Sequence, residues 1–531
     1  MKKVIIVGAG LAGLSAAATL AEKGIKSVLI SLQPSERAQS VLAEGGINAA
    51  LDTMGECDSV ALHCAETYSA GCFIENEDTL LRFAARAPEI VTELEKLGVP
   101  FNRENGKIVL RNFGGQKKKR TAFARSSTGK AVMSSLIDLV GKYETEGFVL
   151  RYPHHRLLKV LIEDNVAQGV VVRNVFTGDT LRFDGVVVLA VGGLAGIFYG
   201  KTTGSIRNDG TATANLFASG VKTSDLEFIQ YHPTTVEIAS KRLLISEAAR
   251  GEGGRLFTVR NGEKYYFMED KFPELKNLMP RDVVSRECYF CEHSNDTDGN
   301  VYLDMTGIND DTWKNKLSDL RKEIIDYLAV DPKTEPVRVT PGIHYFMGGI
   351  AVDDEHRTSA KNLYAAGECA SIYHGANRLG GNSLLGAVYG GKVCAETLIS
   401  DFGDKLAAES DFANPELLSK DDIGYESRFA VSIDHVKKLS DILYSALGVV
   451  RDEKTLNFGL ETLEELYADS QTQAEKERVL FGKAMVLSAL ARLESRGAHY
   501  RSDFPSPDDR FKKKSYATYE NGRIVVEFEK A

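Results

Sequence analysis

The apolar positions of this chain fall first into short solid runs and later into spaced stripes. Val4-Ile5-Ile6-Val7 has no polar face, and a run of that length predicts a strand buried on both sides of a parallel sheet. A glycine turn follows. Then come Leu14 to Gly24, alanine-rich and closed by a glycine suited to a helix C-terminus, and a second strand at Ser27-Val28-Leu29-Ile30-Ser31. Pro88 to Leu97 predicts a short amphipathic helix with its proline in the tolerated first turn. Leu158 to Val175 and Thr180 to Leu189 read as paired strands joined by the turn Phe176-Thr177-Gly178-Asp179. Residues 224 to about 342 are dense in polar punctuation and separate two halves of an α/β unit, to which the strand Leu363-Tyr364-Ala365-Ala366-Gly367-Glu368 returns. From about Asp404 to Arg496 the pattern turns helical and charged. The tail 501–531 is basic, then strand-like at Arg523 to Phe528.

Composition narrows the classes. A length of 531 residues allows roughly two to four domains. The net charge of −9 argues against non-specific nucleic-acid binding, so an anionic ligand would need a local cluster of arginine and histidine. Met1-Lys2-Lys3 runs directly into the first strand, with no room for a secretory leader. The most apolar stretch, Val186 to Phe198, is short of the ~20 residues that cross a bilayer. The expectation is a cytoplasmic protein, peripheral on the membrane only through a partner. The seven cysteines follow no framework spacing. Cys288-Tyr289-Phe290-Cys291 lacks a second pair, which predicts two helix cysteines one turn apart, no metal site and no iron–sulfur ligand set.

Gly8, Gly10 and Gly13, with Ala9 between them, sit between a buried strand and a helix, the context of a pyrophosphate-binding turn. The first glycine makes the turn, the second admits the phosphate, the third lets helix and strand pack, and the helix N-terminus attracts the anion. The acidic ribose partner usual at the end of the second strand is replaced by Ser31, a weaker hydroxyl partner. Gly192-Gly193 and Gly367-Glu368 are further strand-to-glycine turns, and three such turns suit a long cofactor such as FAD, held at both ends.

Six later segments carry candidate chemistry: Asn112-Phe113-Gly114-Gly115-Gln116, Gln230-Tyr231-His232-Pro233-Thr234, Ser246 to Gly254, Pro280-Arg281-Asp282-Val283-Val284, His344 to Gly349 and His374 to Ser383. With Glu494-Ser495-Arg496-Gly497-Ala498-His499 and Asp503-Phe504-Pro505, they resemble the flavoprotein subunit of the succinate dehydrogenase/fumarate reductase family and its relative L-aspartate oxidase, over nearly the whole chain. The resemblance implies FAD, a mobile capping domain and a fumarate- or succinate-type substrate. The expected fold class is α/β: a Rossmann-like FAD-binding domain over 1–223 and 343–403, interrupted by an α+β capping domain at 224–342. A helical domain at 404–500 and a C-terminal tail at 501–531 follow.

A four-carbon dicarboxylate brings two charges that must be desolvated. Arg378 can take one carboxylate bidentately with a second hydrogen bond from His344, while His232 and the hydroxyl of Ser246, where the family usually has Thr, hold the other. By resemblance Arg281 gives the proton that accompanies hydride transfer, and Glu247 and Arg250, three apart, form its relay. A buried ion-pair network is the bland alternative for these three. His374 and Asn377 shape the Arg378 loop. Gly380, Gly381 and Ser383 precede an apolar helix from Leu384, whose N-terminus can stabilise anionic reduced flavin. The resemblance extends cofactor binding to Ser40, Ala43, Gly45, Gly46, Asp209 and Arg378.

Two departures from the family carry information. Membrane-bound members often attach FAD to a histidine where this chain has Gln39, and an amide cannot form that bond. FAD is therefore expected to be non-covalent, which tilts the reading toward fumarate reduction. L-aspartate oxidase places a glutamate before the paired glycines to accept a substrate ammonium, but Phe113 stands there and offers no acceptor. Gln116 is expected to bond substrate. The leading function is interconversion of fumarate and succinate, as a reductase fed by an iron–sulfur subunit or a soluble donor. The alternatives are aspartate oxidation and a catalytically inactive flavin electron-transfer subunit.

Overall fold

The structure is a computed structural model that describes residues 2–238, 241–406, 415–419, 424 and 428–530. Its solid apolar runs form one parallel sheet in the order Leu363–Ala365, Val186–Leu189, Val4–Val7, Ser27–Ile30, Val149–Tyr152. Every residue of Val4–Val7 is buried, as a strand without a polar face requires. The helices Leu11–Glu22 and Asn382–Phe402 pack together at glycine distance: a Cβ added to Gly391 would stand 2.2 Å from the Ala12 carbonyl. Gly13 is equally constrained, because its Cβ would lie 1.8 Å from the Gly8 carbonyl.

The region read as two strand runs divides differently. His155–Glu163 and Val166–Asn174 form a hairpin of their own. Its turn residues, Asp164 and Asn165, have φ of 47° and 59°, the double left-handed geometry of a tight hairpin turn. Val166–Asn174 then pairs with Thr180–Asp184, and after Gly185 the chain leaves for the central sheet. Pro88 is another correction. It lies inside the helix Glu77–Lys96, whose stripe of Leu80, Phe83, Ala84, Ala87, Ile90, Val91 and Leu94 is buried. Burying several such side chains at about 1.5–3 kcal/mol each outweighs a proline cost of about 3 kcal/mol.

Residues 229–346 build a six-stranded sheet ordered Lys241–Leu244, Ile229–Ile238, Val337–Phe346, Val301–Asp304, Arg255–Arg260, Glu263–Tyr265. Its two long strands, Ile229–Ile238 and Val337–Phe346, pair antiparallel with His232 opposite Gly342. Cys288 and Cys291 lie on the helix Arg281–Glu292, buried and unbridged.

In the C-terminal region, residues 407–414, 420–423 and 425–427 lie outside the described residues. Glu416–Leu418 is an edge strand on Thr180–Arg182, where a helix was expected, and long helices follow at Ile433–Ala446, Glu453–Asp469 and Gln473–Ala491. The tail is a working part of the fold: the hairpin Ser515–Glu520 and Arg523–Phe528 extends a sheet containing Thr223–Ser224, Gly349–Ala351 and Ala370–Ser371. Among the described residues no helix is long and apolar enough to cross a membrane.

Buried charge fastens this end of the chain. Arg492 pairs with Glu227 at 2.6 Å and with Glu494 at 3.0 Å, and Arg496 meets Glu494 at 2.7 Å. Lys514 pairs with Glu75 at 2.8 Å, and Glu75 also accepts from the Gly375 backbone at 3.4 Å. Removing one partner strands the other charge, so Lys514→Met is expected to lower the unfolding free energy by about 3–5 kcal/mol, measured by denaturant titration.

Candidate functional site

The central sheet and the six-stranded sheet meet around a cavity of ≈ 350 Å³. Three helices begin at its wall: Leu11–Glu22 after Gly10, Thr211–Ala218 after Gly210, and Asn382–Phe402 after Gly381. Glycine at each of these three N-caps keeps side-chain bulk off the helix end, so the positive end of each helix dipole lies at the cavity wall. Such a trough suits a long ligand with anionic groups spaced along it, and FAD fits that description.

The cofactor-binding residues expected from the sequence line this cavity, with one exception. Gly13 is withdrawn behind the turn, where it allows helix and strand to touch. Ser40 accepts from the Leu11 backbone at 3.3 Å, and Ser31 donates to the Gln33 carbonyl at 2.7 Å. A Cβ on Gly193 would stand 2.4 Å from the Glu368 carboxylate, so only glycine admits Glu368 there. Burial pushes Glu368 up to about 7, against a hydrogen bond from the Phe346 backbone at 3.2 Å. Asp209 also reaches the wall, but its carboxylate is committed to Arg156 at 2.7 Å and the Thr211 backbone at 3.1 Å.

At the other end of the cavity the expected polar residues converge. His232 and His344 stand on adjacent antiparallel strands with ring centroids 5.3 Å apart. Arg281, from the first turn of Arg281–Glu292, makes two bonds to Glu247 Oε2, at 2.9 and 2.7 Å. Arg250 reaches Glu247 Oε1 at 3.2 Å from behind and does not line the cavity. Burial pushes the Glu247 carboxyl up, but the guanidiniums of Arg281 and Arg250 outweigh it and hold it near 2. Arg378 lies over the Tyr345 ring at 4.4 Å, and burial followed by repulsion from Arg281 brings it down to about 9.

Burial, reinforced by the same guanidiniums, holds both histidines well below their usual range, so each is neutral. The Thr234 backbone N–H, which can only donate, reaches His232 Nδ1 at 3.3 Å. That leaves the proton on Nε2 as the donor to a ligand. His344 Nδ1 meets the Thr203 hydroxyl at 2.8 Å. Ser246 and Phe113 line the same end.

Gln116 does not reach this site. Its amide is spent on Asn48 Oδ1 at 3.0 Å, the Gly380 carbonyl at 2.9 Å and the Phe113 backbone at 3.0 Å, so it fixes the Gly380 loop from behind. Two residues were missed. Gln230 accepts from Arg281 and from Arg378, each at 3.1 Å. The two-residue period of a strand puts it on the same face as His232, and that spacing could have found it. Glu44 lines the cavity, where burial and then the charge of Glu323 push its carboxyl up to about 8 against a lowering effect of the Ser246 hydroxyl.

A family model for an FAD binding domain matches residues 3–384, and one for the fumarate reductase flavoprotein C-terminus matches 475–531. The chain is 34% identical to the succinate dehydrogenase flavoprotein subunit of Bacillus subtilis, over 99% of this chain and 95% of the relative. It is 33% identical to L-aspartate oxidase of Pyrococcus furiosus, over 98% and 99%. A solved quinol–fumarate reductase with menaquinol superposes with a TM-score of 0.87 and 29% identity, covering 100% of this chain and 98% of that one. The two matched domains and the full-length relatives show that this chain belongs to the succinate dehydrogenase/fumarate reductase flavoprotein family of FAD-dependent oxidoreductases.

Proposed function

We propose that the chain interconverts fumarate and succinate and works as a fumarate reductase. One observation carries the reading: Arg281 and Arg378 share a single amide oxygen, Gln230 Oε1, beside a pair of neutral histidines on the same cavity. Two guanidiniums and two ring N–H donors match the two carboxylates of a small diacid.

Bound FAD supplies two-electron hydride chemistry here. Arg378 and His344 take one carboxylate, and His232 with the Ser246 hydroxyl takes the other. Arg281 delivers the proton to the substrate carbon and regains it through Glu247, whose ionised carboxylate stands between Arg281 and Arg250. Because Arg250 lies behind Glu247, proton return runs away from the cavity and leaves the substrate face dry.

The cofactor is held without a covalent bond. Gln39 lines the cavity, and its side-chain oxygen accepts from the Ser205 backbone at 2.6 Å, an occupation that suits a structural amide. The reductive direction rests on that same residue. Electrons enter from outside the chain, through an iron–sulfur partner subunit or a soluble donor, and any membrane contact is the partner's. Aspartate oxidation is the second reading, favoured by the Glu44 carboxyl against Ser246.

Anaerobic oxidation of reduced methyl viologen is expected on addition of fumarate, with no iminoaspartate formed from aspartate. The opposite pattern selects the second reading. After acid precipitation the flavin is expected in the supernatant, and colour retained by the pellet overturns non-covalent binding. Arg281→Lys is expected to keep its flavin and lose about 10²–10⁴-fold in kcat. Retained turnover removes Arg281 from proton delivery.

A further inference from the structure

The amide that joins the two arginines has a direction, and residues that touch neither arginine side chain set it. Arginine only donates, so Gln230 must turn its oxygen toward Arg281 and Arg378, each 3.1 Å away. Its nitrogen then donates to Asn377 Oδ1 at 2.8 Å and to the Arg378 backbone carbonyl at 2.9 Å. Asn377 can present its oxygen only because its own nitrogen is turned away, donating to Asp282 Oδ1 at 2.9 Å. Burial raises the Asp282 carboxyl, and Arg286 and the backbone N–H groups of Asp282 and Val283 oppose that rise; the oxygen it turns to Asn377 accepts, which makes Asp282 the acceptor end of the series. Asp282 follows Arg281 directly in the first turn of Arg281–Glu292, where the helix end favours an anion.

The series therefore reads one way, from Asp282 through Asn377 and Gln230 to the two guanidiniums. If Asn377 turned over, its amide hydrogens would meet those of Gln230. If Gln230 turned over in response, its hydrogens would meet two cations. We propose that Asp282 and Asn377 are positioning residues for substrate binding and proton delivery, holding the Gln230 oxygen on Arg281 and Arg378. This rests on the dicarboxylate reading above.

The test uses an exchange of the two side chains. Asp282→Asn removes the acceptor-only end and frees Asn377 to turn over. Combining Asp282→Asn with Asn377→Asp puts an acceptor-only group directly against the Gln230 nitrogen, with the amide at position 282 donating to it, so the direction at Gln230 is restored. For flavin-loaded Asp282→Asn, the Kd of malonate, read from the flavin absorption spectrum, is expected to rise about tenfold. The value of kcat/KM for fumarate is expected to fall about tenfold, the size of one charge-assisted hydrogen bond. The exchanged pair is expected to return both to within about threefold of the parent. Asn377→Leu, which cannot orient Gln230, is expected to behave as Asp282→Asn does.

The proposal is overturned if Asp282→Asn or Asn377→Leu binds malonate as the parent does. It is also overturned if the exchanged pair, with full flavin content and an unchanged melting temperature, is no better than Asp282→Asn alone. A parent protein that binds malonate in this pattern but does not reduce fumarate leaves the positioning role standing and removes the proposed reaction.

Discussion

Two like charges sharing one neutral oxygen is an arrangement that proteins rarely bury without reason. Arg281 and Arg378 both bond Gln230 Oε1, and the ionised partner that bonds Arg281 is Glu247, itself divided between Arg281 and Arg250. Glu368, the other carboxyl near Arg378, is lifted to about 7 by burial and is therefore only partly ionised near neutrality. The cluster is therefore short of negative charge inside a chain whose net charge is −9. A dianion corrects that deficit, and burial, reinforced by the same guanidiniums, keeps His232 and His344 neutral beside it.

The fold supplies this cluster from two sides. His232 and His344 come from the paired long strands of the six-stranded sheet, and Arg281 from a helix packed against it. Arg378 comes from the loop ahead of Asn382–Phe402 and is braced from below: Ala498 donates to the Ala376 carbonyl at 2.9 Å, and Gly497, at φ 53°, lies so close that a Cβ would stand 2.5 Å from that oxygen. The signature near residues 494–499 is thus the floor of the arginine loop.

Much of this was legible because the signals are local. The apolar run at Val4 and the glycine turn after it mark a strand and a helix N-terminus by steric need alone. The converging histidines and arginines were legible only through resemblance, since no spacing rule brings residues 232, 281, 344 and 378 together. The misreadings share a cause. Pro88 was weighed by its own backbone penalty, whereas seven buried side chains along the helix decide the outcome. Gln116 sits beside pocket residues in the sequence, yet its amide is consumed by Asn48 and Gly380, partners far away along the chain. Glu44 escaped notice because the sequence does not reveal that it faces Ser246 and Glu323.

The wedge of Gly497 beneath Ala376 sets an order of events in the cell. A growing chain can pair its first strands and close the glycine turn early, while most of its length is still unmade. The loop carrying Arg378 has no floor until the ribosome has passed that wedge. A copy that ends before Gly497 accordingly lacks the support beneath Ala376 on which the arginine loop rests.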